Sequence, residues 1–209
     1  MRLMLVASIV LFAAHLLPAQ NSGNSSTGQE GQLLPAPFRV FAVTGPRAQH
    51  MHDFFTDRGL NPTVAVIALK APANPQEPLA VLLQKLNAAV VSHPNLRLGA
   101  FAIFLTLDKD FYDDPQRTNR VAELEGLSKQ LELTQVPLGL AHVDAAPVKQ
   151  YAILTRDDPV NMVRKHQVTV LVYNKHRVLK RFTFTEDKPL TEDGIQQIFL
   201  AVEAMLGKR

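Results

Sequence analysis

The chain of 209 residues contains no cysteine. A thiolate is the nucleophile of thiol–disulfide exchange and of thiol peroxidases, so those activities are excluded, together with disulfide cross-links and lipid attachment through a cysteine. Aromatic residues make up only 7% of the chain, and none alternate with basic residues in the way that stacks bases or sugars. There is no Gly-rich phosphate loop and no Gly-x-Ser-x-Gly elbow. Ser92 and Ser128 fall inside predicted helices with no visible base, so nothing points to a Ser-His-Asp triad. Excess charge is also small. The formal net charge of +3 falls to +2 without Arg2, so the pI of 9.3 is a weak argument for binding nucleic acid. Neither a nucleic-acid partner nor a cofactor is expected.

What is present begins with Arg2, a largely apolar run from Leu3 to Leu17 interrupted by Ser8 and His15, and small residues at Pro18 and Ala19. This is the layout of a secretory signal, with cleavage expected near Ala19 or Gln20 and a periplasmic or extracellular destination. The run is shorter than the roughly 20 apolar residues that span a bilayer. Residues 21–37 are rich in Ser, Gly, Asn, Gln and Pro, with Leu33 and Leu34 as the neighbouring bulky apolar pair. Such a segment buries too little surface to offset its ordering entropy and reads as a flexible linker. Residues 38–209 are long enough for one domain, and a hydrophobic content of 46% permits a core without covalent staples.

Along that domain, Phe38–Thr44 is predicted to be a strand ended by Gly45-Pro46, and Gln49–Asp57 a short helix stopped at Gly59. Pro62 introduces Thr63–Leu69, apolar on both faces as in a central strand. A proline-rich loop leads to a helix with Leu79, Leu82, Leu83, Leu86 and Val90 at helical spacing and Pro78 in its first turn. A strand is expected within Leu96–Leu105. Thr118 is the expected cap of a helix whose inner face is Val121, Leu124, Leu127 and Leu131, and Val136–Val143 is strand-like. Val168–Tyr173 and Val178–Phe184 flank a turn and predict a hairpin. Thr191 caps a last helix with Ile195, Ile198, Phe199 and Val202 facing inward and Gly207 at its end. Alternating strands and helices followed by a hairpin and a closing helix require an α/β sandwich with a mixed sheet.

Thr63–Leu69 leading into a helix, Leu124–Leu131 running into Gln135–Leu140, and Val148–Ile153 followed by the hairpin together resemble the thioredoxin-like superfamily, on its peroxiredoxin-like side. The resemblance implies a thioredoxin-like α/β sandwich, a central mixed sheet flanked by helices. A narrower likeness is to exported bacterial thioredoxin-domain proteins with a V-T-G-P strand end, a C-x-x-C and a proline-led strand. Val43-Thr44-Gly45-Pro46 and Pro62-Thr63-Val64 match, and Asp53 and Thr56 stand where the cysteine pair would fall. A second placement, the strand-to-helix loop that holds the reactive cysteine of peroxiredoxin-like proteins, reads Lys70–Gln76 and has no nucleophile either. The superfamily's cis-proline corresponds to Pro137 on the thioredoxin alignment. On the peroxiredoxin-like one it falls before Val168, where Gln167 stands.

Other constellations carry a functional and a plainer reading. His50, His52 and Asp53 are the sharpest metal candidates, since imidazoles two apart share a face in an extended segment, yet only two imidazoles and no located third ligand favour an exposed polar segment. Asp108, Asp110, Asp113 and Asp114 fail the EF-hand pattern twice and read as a solvated loop. Arg164, Lys165, Lys175, Arg177, Lys180 and Arg181 cluster around the hairpin and suit weak contact with an anionic surface, while basic residues on an outer strand also discourage edge pairing. The sequence thus points to an exported, non-catalytic binding module for an unidentified protein or small ligand. A metal carrier or non-thiol enzyme using His50, His52 and Asp53, and a purely structural secreted domain, are the alternatives.

Overall fold

A computed structural model describes residues 31–34, 39–107, 114–143 and 166–207. Its elements in chain order are β1 (Val40–Ala42), β2 (His50–His52), α1 (Phe54–Asp57), β3 (Thr63–Ala68), α2 (Pro78–Ser92), β4 (Gly99–Thr106), α3 (Asp114–Gln130), β5 (Leu138–His142), β6 (His166–Asn174), β7 (Arg177–Thr185) and α4 (Glu192–Met205). The seven strands form one sheet in the order β2-β1-β5-β4-β3-β6-β7. β3, β4 and β5 are parallel, while β1, β2, β6 and β7 pair antiparallel to their neighbours.

β3 and β4 are buried at every position, as strands covered on both faces must be. Alternate residues serve different layers. Val64, Val66, Ala100 and Ala102 join the leucines of α2, the Leu124–Leu127 face of α3 and Ile195, Ile198 and Val202 of α4 in one cluster. Ala65, Ile67, Phe101 and Ile103 pack with Phe54 and Phe55 of α1 on the other. Each parallel connection, β3-α2-β4 and β4-α3-β5, returns through a helix, which is what parallel pairing demands. This is the mixed-sheet α/β sandwich read from the sequence.

Local differences from the sequence reading have identifiable causes. The segment expected to be helical from Gln49 splits instead into β2 and the one-turn α1. Gly45 (φ 90°) and Gln49 (φ 66°) turn the chain back, the Gln49 amide donates to the Ala42 carbonyl, and His50–His52 lies against β1. α3 begins at Asp114, ahead of Thr118, with Pro115 in the turn where a missing amide proton costs nothing. Lys175 and His176, both at positive φ, make the two-residue hairpin turn. Within the segment read as linker, residues 31–34 lie along the start of β7. The Gly31 amide donates to the Val178 carbonyl, that of Val178 to Gln32, and that of Leu34 to His176. Among the described residues no helix is long and apolar enough to cross a membrane.

Candidate functional site

The C-terminal end of β3 opens into a cavity of about 730 Å³. Its floor is apolar, with Leu69, Leu79, Val168, Phe184 and Leu190, and Lys70, Glu77, Gln167 and Glu186 supply its polar groups. The loop from Lys70 to Glu77 is held by its own side chains. Glu77 Oε1 accepts from the Ala73 amide and from Asn74 Nδ2, and Asn74 Oδ1 accepts from the Gln76 amide. Pro78 then starts α2. Across the cavity mouth the Leu69 amide donates to the Gln167 carbonyl at 3.0 Å, bringing together the strand-to-helix loop and the residue before Val168. The volume lies within the range of about 300–1,000 Å³ common for small-ligand pockets. Among the described residues lining it there is no serine, threonine or histidine.

Asp53 is the N-cap of α1. Its Oδ1 accepts from the Phe55 amide at 3.0 Å and the Thr56 amide at 3.4 Å, and its Oδ2 accepts from the Thr56 hydroxyl. Both oxygens are thereby engaged in holding a helical turn. His50 and His52 share a side of β2 without forming a common site. His50 Nδ1 lies 2.8 Å from the Ala48 carbonyl oxygen, and His52 Nε2 sits 3.6 Å from Asp57 Oδ2 with its ring edge-on to Phe54. Among the described residues no group of three or more histidines and carboxylates is placed to hold a metal ion.

Pro137 is preceded by a trans peptide bond, not the cis bond of the thioredoxin alignment. Its ring lies against Gly45, where a Cβ would come within 2.8 Å of Pro137 Cβ, and the Thr44 hydroxyl accepts from the Leu138 amide at 2.9 Å. The V-T-G-P segment thus braces the start of β5 with an ordinary trans proline. Beside it is a second, smaller cleft of about 390 Å³. Arg47 and Arg58 line it. The sequence reading passed over both, and its one signal was Gly99, which leaves room for the Arg58 stem.

The described members of the basic cluster do not share one surface. Arg164 and Lys165 lie outside the described residues. Lys175 and Arg177 are exposed, and Arg177 Nη1 donates to the Gly31 carbonyl. Arg181 is 1% exposed, and burial pushes its guanidinium down to about 10. The cause is a bulge: Tyr173 pairs with Val178 but Val172 with Lys180, so Leu179 is an extra residue that turns Arg181 inward. Arg181 is therefore removed from any anionic contact surface.

No sequence pattern of a known family matches the chain, and no curated protein matches it. Solved structures do. A reduced 2-Cys peroxiredoxin of Plasmodium vivax has a TM-score of 0.52 at 13% identity, over 84% of this chain and 82% of that one. A yeast mitochondrial 1-Cys peroxiredoxin gives 0.51 at 11%, over 85% and 77%, and a hypothetical protein of Sinorhizobium meliloti 0.53 at 12%, over 88% of each. Identity this low speaks to architecture alone. The chain has a thioredoxin-like fold, and it carries that fold without a single cysteine.

Proposed function

We propose that this is an exported, non-catalytic thioredoxin-like module that binds a ligand in the cleft at the end of β3. The observation that carries the reading is the position of that cleft, between the loop from Lys70 to Glu77 and Gln167, with an apolar floor and no cysteine, serine, threonine or histidine among its described lining residues. We place the lost redox position in this loop rather than at Asp53 and Thr56. The loop joins β3 to the start of the long helix α2, and β3 lies between parallel β4 and antiparallel β6. Asp53 and Thr56 instead belong to a single helical turn ahead of β3. Retention of the cleft without the chemistry favours binding. Export rests on the leading apolar run and the small residues after it.

Two measurements test this. Insulin reduction and peroxide consumption by the pure protein match a blank without protein, since no thiolate exists to turn over. An environment-sensitive apolar dye brightens with the native protein, and Ala71→Trp, which fills the cleft from its wall, abolishes the signal while the circular dichroism is unchanged. Turnover above the blank, or dye binding equal in Ala71→Trp and wild type, would falsify the reading.

A further inference from the structure

At the opposite end of the sheet from that cleft, the smaller cavity beside Pro137 gathers cationic and hydrogen-bonding groups that no part of the binding reading uses. Arg47, on the turn between β1 and β2, is exposed and forms no ion pair among the described residues. Arg58, at the end of α1, is fixed. Its Nη2 donates to the Ala100 carbonyl at 3.3 Å, and its stem lies where a Gly99 Cβ would come within 2.9 Å. The Thr44 hydroxyl spends its oxygen on the Leu138 amide, which leaves its proton to donate. Asp57 is the one carboxylate among the described lining residues, so its charge and the two guanidinium ions leave a single positive excess. His52 Nε2 is buried without a hydrogen bond, and its 3.6 Å separation from Asp57 Oδ2 is too long for one.

We propose that this cleft binds a small 2-hydroxycarboxylate monoanion. The paired oxygens of a carboxylate match the planar forks of Arg47 and Arg58, and one negative charge balances the lining. The adjacent hydroxyl donates to Asp57 and accepts from His52 Nε2, giving a hydrogen bond to an imidazole nitrogen that otherwise has none. Pro46 and Pro137 provide apolar walls for a short carbon skeleton.

Titration of the ¹⁵N-labelled full chain with sodium L-lactate tests the proposal, with propionate, which lacks the hydroxyl, and inorganic phosphate as comparison probes. The expected result is a saturable set of amide shifts confined to residues 44–58 and the start of β5. Arg47→Gln, an exposed change that leaves the core alone, weakens lactate binding by about tenfold or more, the loss expected for a charge-assisted contact. Asp57→Asn weakens lactate but not propionate. Absence of saturable shifts, equal binding of phosphate or propionate and lactate, or unchanged lactate binding in Arg47→Gln overturns the assignment.

Discussion

Replacing Asp53 with alanine isolates what that residue does in this fold. The substitution removes the acceptor for two backbone amides, Phe55 and Thr56, and for the Thr56 hydroxyl, all within one turn of helix. Loss of a capping side chain costs about 0.5–2 kcal/mol. The upper half of that range is expected, because α1 has only four residues and three donors converge on this one side chain. The turn does not melt, since Phe54 and Phe55 remain buried against Phe101. For a domain of this size the thermal midpoint falls by about 2–4 °C per kcal/mol. Asp53→Asn keeps a carbonyl oxygen at the cap and recovers most of the loss, so the pair separates hydrogen bonding from charge. Urea denaturation of the three proteins measures it. An unmoved midpoint in Asp53→Ala, or equal losses in the Ala and Asn variants, would refute the capping argument.

Gly139→Ala places a Cβ 2.7 Å from Phe54 Cε2 and 2.9 Å from Val40 Cγ2, so overpacking lowers stability by about 1–3 kcal/mol in denaturant unfolding, and an unchanged midpoint would show that the α1–β5 contact yields freely. Tyr173 is buried, and that burial pushes its phenol well above the usual tyrosine range. From about pH 10 the unfolded chain releases this proton while the folded one keeps it, so stability falls as pH rises. Arg181, at about 10 when folded, acts in the opposite sense, its proton leaving the folded state first and stability rising with pH. Tyr173→Phe removes the first effect alone, and its stability is expected to decline less than wild type between about pH 9 and 11; parallel curves would contradict this.

Much of the frame was legible because its signals are local or strongly periodic. The unbroken apolar run of β3, the leucine spacing of α2 and the Thr191 cap of α4 each carry their own evidence in adjacent residues. β2 was not legible. Three residues, two of them exposed, become a strand only because Gly45 and Gln49 fold them back onto β1, and a pairing set by a turn leaves no periodicity of its own. Arg181 was misread for a related reason. A period of two assigns it to the outside, and the single extra residue Leu179 reverses that assignment. At the candidate sites, the sequence identified the loop from Lys70 to Gln76 as lacking a nucleophile. That the loop borders a cavity with Gln167, or that Arg47 and Arg58 share a cleft with Pro137, depends on residues far apart in the chain.

The pairing of residues 31–34 with the start of β7 sets that segment apart from the larger cleft. Those residues meet Arg177 and Val178, opposite Asn174 and Tyr173, and Tyr173 in turn pairs with Thr63, the first residue of β3. The larger cleft opens beyond the last residue of β3, about 20 Å further along the strand. A label or fusion attached at residues 31–34 would therefore sit at the end of the sheet away from that cleft and leave its mouth clear.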